Sequence, residues 1–185
     1  MVKEARPGRV KTRLGREIGM TAAAWWFRHQ SASALRRLRD PRWNLSIAVT
    51  PDREGMASRV WPAELPRIPQ GRGDLGDRMA RLLRTHPIVL VVGADIPGLR
   101  RHHIARALRR LRESDAVLGP ATDGGFWAIG WRGAAGPPAT LFRGVRWSTS
   151  HALADTLASI PRARVALADT LSDVDTAADL AACRF

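Results

Sequence analysis

The sequence predicts an α/β fold, a mostly parallel sheet sandwiched by helices, and three observations carry that reading. Helix-like and strand-like patterns alternate along all 185 residues without repeats or low-complexity blocks. The run Ile88-Val89-Leu90-Val91-Val92 is continuously apolar and rich in β-branched residues, the pattern of a strand buried on both faces. Gly93-Ala94-Asp95 then Ile96-Pro97 follow at once, leaving Asp95 at a strand's carboxyl end, where ligands of such sheets gather.

The elements follow in order. Residues 21–39 read as the first long helix, with Ala22, Trp25, Trp26, Ala32, Leu35 and Leu38 forming much of an apolar face, and Asp40-Pro41 ends it. Residues 45–50 read as a strand and Pro51-Asp52 as a turn, whereas residues 56–69, with three prolines, show no clear period. Residues 75–84 are helical, Met79, Leu82 and Leu83 facing inward. After the apolar strand, residues 99–112 form an amphipathic helix with Ile104, Leu108 and Leu111 on its apolar side. A short strand then runs into Thr122-Asp123-Gly124-Gly125, residues 126–131 form another, and residues 150–160 a helix. Residues 164–168 and 176–184 close the chain as strand and helix, Asp175 or Thr176 capping the latter and accounting for Asp179.

The length suits one domain, residues 1–185, with a substantial core. No apolar run approaches a membrane span and the N-terminus carries no apolar leader, so the expected location is cytoplasmic. Cys183 is read as a small helix-face residue. The net charge of +13 comes almost wholly from arginine and favours anionic partners such as nucleotides or phosphorylated metabolites. The arginines crowding residues 100–112 are read as a solvated face rather than a nucleic-acid surface, and His102 and His103 as pointing apart. Only Lys3 and Lys11 are lysines, a placement that suits sites wanting a compact ammonium, which acts on phosphate as a point charge.

Four segments carry candidate chemistry. In Ala5-Arg6-Pro7-Gly8-Arg9-Val10-Lys11-Thr12-Arg13-Leu14, a Pro-Gly turn precedes cations at a helix start, an arrangement suited to phosphate, although the Walker A spacing is absent. In Gln70-Gly71-Arg72-Gly73-Asp74, the glycines permit positive φ or backbone approach, while Gln70 and Asp74 offer edges suited to a nucleobase or ribose; Asp74 equally suits a helix cap. Asp95 and an acid of the Asp173–Asp179 stretch, if they converged, would suit a hard divalent cation completed by phosphate and water. Asp123 with Gly124 and Gly125 fits an acceptor site or a structural turn, and Trp147 sits in a loop able to wall a pocket.

Taken in order, Pro7–Leu14, Gln70–Met79, Gly93–Pro97, Gly119–Gly125 and Asp173–Thr176 closely resemble a bacterial family of GT-A-like transferases, described as glycosyltransferases or radical-SAM/selenodomain-associated transferases. The series is more distantly similar to phospholactate and molybdenum-cofactor guanylyltransferases. The resemblance implies a GT-A, Rossmann-like three-layer α/β/α sandwich that binds a nucleotide or nucleotide sugar with Mg2+ or Mn2+ and serves a small-molecule acceptor. It implies metal ligands at Asp95 and Asp175, and a nucleotide site at Pro7, Gly8, Lys11, Thr12 and Arg13 together with Gln70, Gly71, Gly73 and Asp74. Lys11, Asp95 and Asp123 become the expected catalytic residues; Asp123, Gly124, Gly125 and Trp147 line the acceptor side. Glycosyl and nucleotidyl transfer both remain open, because fold kinship does not fix the reaction. The family begins with an apolar strand before the phosphate loop, whereas only Met1-Val2 precede Lys3 here, so the first strand is expected to be truncated, with an inactive binding module as the consequence to test.

Overall fold

The computed structural model describes residues 1–183; Arg184, where the last helix was expected to end, lies outside them. In chain order the elements are β1 (Val2–Lys3), α1 (Thr12–Ile18), α2 (Met20–Arg37), β2 (Ile47–Thr50), α3 (Asp52–Ala57), β3 (Arg67–Pro69) and α4 (Leu75–Leu82). They continue with β4 (Ile88–Val92), α5 (Arg101–Arg112), β5 (Ala116–Pro120), β6 (Phe126–Arg132), α6 (Ala152–Ser159), β7 (Val165–Leu167) and α7 (Ala177–Ala182). The helices and strands expected from hydrophobic period are present, shifted by a few residues at their ends. Additional are β1, α3 and β3, each too short for a period to show, whereas α1 is the helix whose start was expected behind the Pro-Gly turn. Among the described residues no helix is long and apolar enough to cross a membrane.

The chain gathers into two compact units. The first comprises Met1–Gly71, Gly93–Arg101 and the chain from Asp173. Its sheet, in the order β1-β2-β3, is wholly parallel. The two-residue β1 takes its place beside β2, Val2 opposite Val49 and Lys3 opposite Thr50. Gln70 secures the pair: its buried amide nitrogen donates to the carbonyls of Val2 at 2.9 Å and Ala48 at 2.8 Å. Val2, Ile47 and Val49 pack with Phe27, Leu35 and Trp61 into the larger core of this unit. A second, smaller core joins α1, α2 and the C-terminal segment through Leu14, Ala23 and Val174, all fully buried. The half-buried Cys183 packs against it. Two expectations fail on α2, where Ala22 and Trp25 are both exposed. Trp25 is 62% exposed and stacks on His29 instead of entering the core, because α2 turns its other face inward through Ala23, Ala24, Phe27 and Ala34.

The second unit comprises Arg72–Val92 and His102–Ser172. Its sheet runs β4-β6-β5-β7 and is mixed: β6 is antiparallel to both neighbours, whereas β5 and β7 are parallel. The turn at 121–125 is too short for the crossover a parallel pair requires, so β5 and β6 form a hairpin. Fully buried Leu118 and Ile129 lie at its centre, and α5 covers it with Ile104, Ala107 and Leu111. β4 differs from expectation. It is the outermost strand of this sheet, Ile88 is 53% exposed, and of its five residues only Val91 is buried. An apolar run reports the tendency to be covered, not which neighbour supplies the cover.

Candidate functional site

Lys11 is the centre of the site in the first unit. It immediately precedes α1 in the left-handed conformation, φ 44° and ψ 49°, which for a side chain with a Cβ costs about 1 kcal/mol. Its side chain is only 6% exposed, and Nζ lies 2.5 Å from Asp95 Oδ2 and 2.7 Å from Asp175 Oδ1. Arg13 reaches the other oxygen of Asp175, Nη1 to Oδ2 at 3.3 Å, with its own side chain largely in solvent. Burial works to depress the Lys11 pKa, but the charges and hydrogen bonds of Asp95 and Asp175 outweigh it and hold the ammonium above the ordinary lysine value. The Met1 α-amine is a further basic group near Asp95, and burial pushes it down to about 6, so Lys11 is the principal cation facing that carboxylate at neutral pH.

Each acid is held by its own segment. Asp95 stands in the connection after β4, anchored by the buried Ile96 and Leu99. Asp175 stands just before α7, between the fully buried Val174 and the cap Thr176. Asp179 fixes this turn: its Oδ2 accepts from the backbone of Asp175 at 3.0 Å and of Thr176 at 2.8 Å, and from the Thr176 hydroxyl at 2.8 Å. Glu17 of α1 accepts from the Ala177 amide at 2.9 Å, tying α1 to the start of α7. Acids distant in sequence thus meet around one cation.

The donor set fits a hard divalent ion. Two carboxylates contributing oxygens to one point are the usual protein share of a Mg2+ site, with phosphate and water supplying the rest. Among the described residues no group of three or more His, Cys, Asp or Glu side chains could hold a metal by itself, so such an ion would depend on the phosphates. His102 and His103 do not point apart as expected: their Nε2 atoms are 3.0 Å apart, because the rings tilt toward each other at the helix surface.

The remaining nucleotide-site candidates of the first unit divide. Pro7, Gly8, Thr12 and Arg13 are exposed, Gly8 with φ 72°, and no side chain caps the start of α1. Arg6 and Arg9 lie against Glu54 at 3.1 and 3.7 Å. Gly71 has the expected positive φ, 78°, and donates to Asp52 Oδ1 at 3.0 Å. Gln70 departs from expectation, since its amide nitrogen is consumed by sheet carbonyls and is not offered to a base.

In the second unit Gly73 also has positive φ, 103°, and Asp74 is a helix cap. Asp74 Oδ1 accepts from Asp77 N at 2.9 Å while Asp77 Oδ2 accepts from Asp74 N at 3.1 Å. Asp123 lies in the β5–β6 turn, exposed, with Oδ1 accepting from Gly125 N at 2.8 Å. Trp147 is half-buried and belongs to an aromatic group unnoticed in the sequence, its ring 5.5 Å from Phe142 and 6.2 Å from Phe126. Gly76 makes room for it: a Cβ there would lie 2.8 Å from Phe142 Cβ and 3.0 Å from Trp147 Cζ2. Phe126 follows Gly125 directly, the one sequence signal that could have led to the group.

Two predictions arise here. Gly124 has φ 84°, and a Cβ on it would sit 2.2 Å from the Ser150 carbonyl oxygen. Gly124→Ala combines backbone strain with a clash that only a shift of main chain relieves, so thermal denaturation is expected to show a loss of about 2 kcal/mol or more. The loop before Trp147 is held by Arg146, whose backbone N and Nε donate to Asp155 Oδ2 at 3.1 and 2.9 Å and whose Nη2 donates to Oδ1 at 2.9 Å. Hydrogen bonding from the Arg146 side chain, then from its backbone, lowers the Asp155 pKa to about 2. A carboxylate with a depressed folded-state pKa stabilises above its ordinary value near 3.8, and that contribution disappears as pH falls through about 2. The melting temperatures of the wild type and Asp155→Asn should therefore differ at pH 5 and converge toward pH 2; a constant gap refutes the clamp.

Residues 34–149, more than half of the chain, match DUF2064, described as an uncharacterized protein conserved in bacteria. The chain belongs to this family. A crystal structure from Desulfovibrio desulfuricans G20, of a protein provisionally assigned as a nucleotide-diphospho-sugar transferase, superimposes with a TM-score of 0.82. It is 30% identical, and the match covers 97% of this DUF2064 chain and 81% of that one. The GT-A-like fold expected from the sequence is thus the fold of the chain. The homologue of Mycobacterium tuberculosis rv0371c from Mycobacterium sp. strain JC1 is far less similar, at 17% identity and a TM-score of 0.48, covering 83% of this chain and 79% of its own. No curated protein matches this DUF2064 chain.

Proposed function

We propose that the chain is a divalent-cation-dependent transferase of the GT-A class that uses a nucleotide sugar, with Asp95 and Asp175 as ligands of Mg2+ or Mn2+. The observation that carries this reading is the meeting of both carboxylates at one ammonium, beside Arg13, in a chain whose fold is shared with the Desulfovibrio protein. A divalent cation held there would neutralise charge gathering on the departing diphosphate. Lys11 and Arg13 bring two further positive charges to the neighbourhood of these carboxylates, which a phosphate chain can use for both binding and stabilisation of the leaving group. Pro7, Gly8 and Thr12 present exposed backbone and hydroxyl to that phosphate chain, and Gly71 lends backbone alone to the nucleoside. For the second unit we infer acceptor recognition, Trp147 offering an aromatic face and Asp123 an exposed carboxylate able to orient or deprotonate a hydroxyl. Gly73 and Asp74 act there by shaping the start of α4.

Nucleotidyl transfer is the second reading, favoured by the basic Lys11–Arg13 loop packed against both acids. Incubation with nucleotide sugars and with nucleoside triphosphates, each with Mg2+ or Mn2+, separates the two: release of a nucleoside diphosphate supports glycosyl transfer and release of pyrophosphate supports nucleotidyl transfer. Nucleotide binding that ignores divalent cations, with neither product formed, would sink both and leave a binding module.

A further inference from the structure

The two acids proposed to hold a divalent cation already hold a cation of the chain's own. Lys11 Nζ lies 2.5 Å from Asp95 and 2.7 Å from Asp175, close to where an ion bound by the same oxygens at about 2.1 Å would have to sit. An ammonium and a divalent ion cannot share that point, since their charges repel and their volumes overlap. We propose that Lys11 is the resident stand-in for the divalent cation: it neutralises the Asp95–Asp175 pair until a nucleotide's phosphates draw its ammonium away, so that cation and nucleotide enter together. This inference rests on the transferase reading above and adds the order and coupling of its ligands.

Three features support it. Two carboxylates brought this close need a positive charge between them, and Lys11 supplies it from a side chain only 6% exposed. The ammonium ends a flexible four-carbon stem that can swing without moving the main chain, which the planar fork of an arginine could not do as freely. Arg13 stays on the far oxygen of Asp175, so that acid is not stripped of every partner when the ammonium leaves. A divalent cation arriving alone must displace the ammonium and leave it buried without a partner. One arriving with phosphates gives it a new anion. The two ligands therefore favour each other, and by linkage each does so by the same factor.

The chain contains only two lysines, Lys3 and Lys11, and Lys3 is exposed. Protein labelled with 15N at lysine Nζ therefore offers two side-chain ammonium signals, that of Lys3 serving as internal control. The Lys11 signal should hold its position when Mg2+ is added alone and move when Mg2+ is added with GDP or UDP, Lys3 staying still. In parallel, Lys11→Met should bind Mn2+ without nucleotide on the order of tenfold more tightly than the wild type, and gain less from added nucleotide. If Lys11→Met fails to fold, the wild-type signal decides alone. A Lys11 signal that stays put while Mg2+ and nucleotide bind, or a folded Lys11→Met with wild-type Mn2+ affinity, overturns the stand-in and leaves the transferase reading intact. Wild-type protein that binds neither nucleotide in a Mg2+-dependent way overturns the transferase reading as well.

Discussion

Asp95→Asn is expected to reduce transfer by roughly 10³-fold or more while the protein remains folded. The amide keeps the size of the carboxylate but removes the charge, so one of the two oxygen ligands proposed for the divalent cation becomes a weak neutral donor. Lys11 still retains Asp175 at 2.7 Å, and no buried charge is left alone. The stability cost should therefore stay near that of one charged hydrogen bond, about 1–3 kcal/mol. Activity and melting temperature measured on the same preparation separate the two effects. A folded Asp95→Asn enzyme keeping a tenth of wild-type turnover would remove Asp95 from the chemistry.

Leu14→Ala is expected to have the largest effect on stability. Leu14 is fully buried against Ala23 and Val174, with Ile18, Trp26, Ala177 and Leu180 around them. Truncation removes packed methyl groups and opens a cavity between helical segments that can close only by moving, which costs about 2–5 kcal/mol. For a chain of this length each kcal/mol lowers the melting temperature by about 2–4 °C, so a fall of about 4–20 °C is expected by calorimetry. The site should suffer too. Leu14 lies one turn beyond Lys11 and touches the residue before Asp175, so the cavity loosens both ends of the Lys11–Asp175 contact. Leu167→Ala provides the contrast: that side chain is 45% exposed, and its loss should stay within about 0.5 kcal/mol. Equal losses from the two substitutions would contradict the burial described.

Much of this was legible from local pattern. The apolar run before Asp95, the amphipathic spacing of α5 and the Thr176–Asp179 cap each follow from neighbours in sequence, and each is present. What escaped depends on distant partners. The direction of β6 is set by the five-residue turn before it, not by its own alternation. The exposure of β4 depends on its outer position in its sheet, and that of Trp25 on which side of α2 finds cover. Gln70 shows the same limit. Its residue type and glycine neighbours suited a ligand, yet its amide found two sheet carbonyls first. For Lys11 both the residue and its taste for anions were legible in the sequence. The partner expected there was a phosphate, whereas the anions that Lys11 touches in the fold are the chain's own acids.

The double bond from Gln70 has a consequence for the chain leading to Lys11. A strand of two residues offers few ladder contacts of its own, yet a buried side chain grips it from behind and fastens it to β2. The segment from Glu4 to Val10 therefore departs from a fixed mooring rather than a frayed end, and the distance it can span decides where the lysine is delivered. Amide exchange at Val2 and Lys3 should be slower than so short a strand would suggest, and Gln70→Ala should release it.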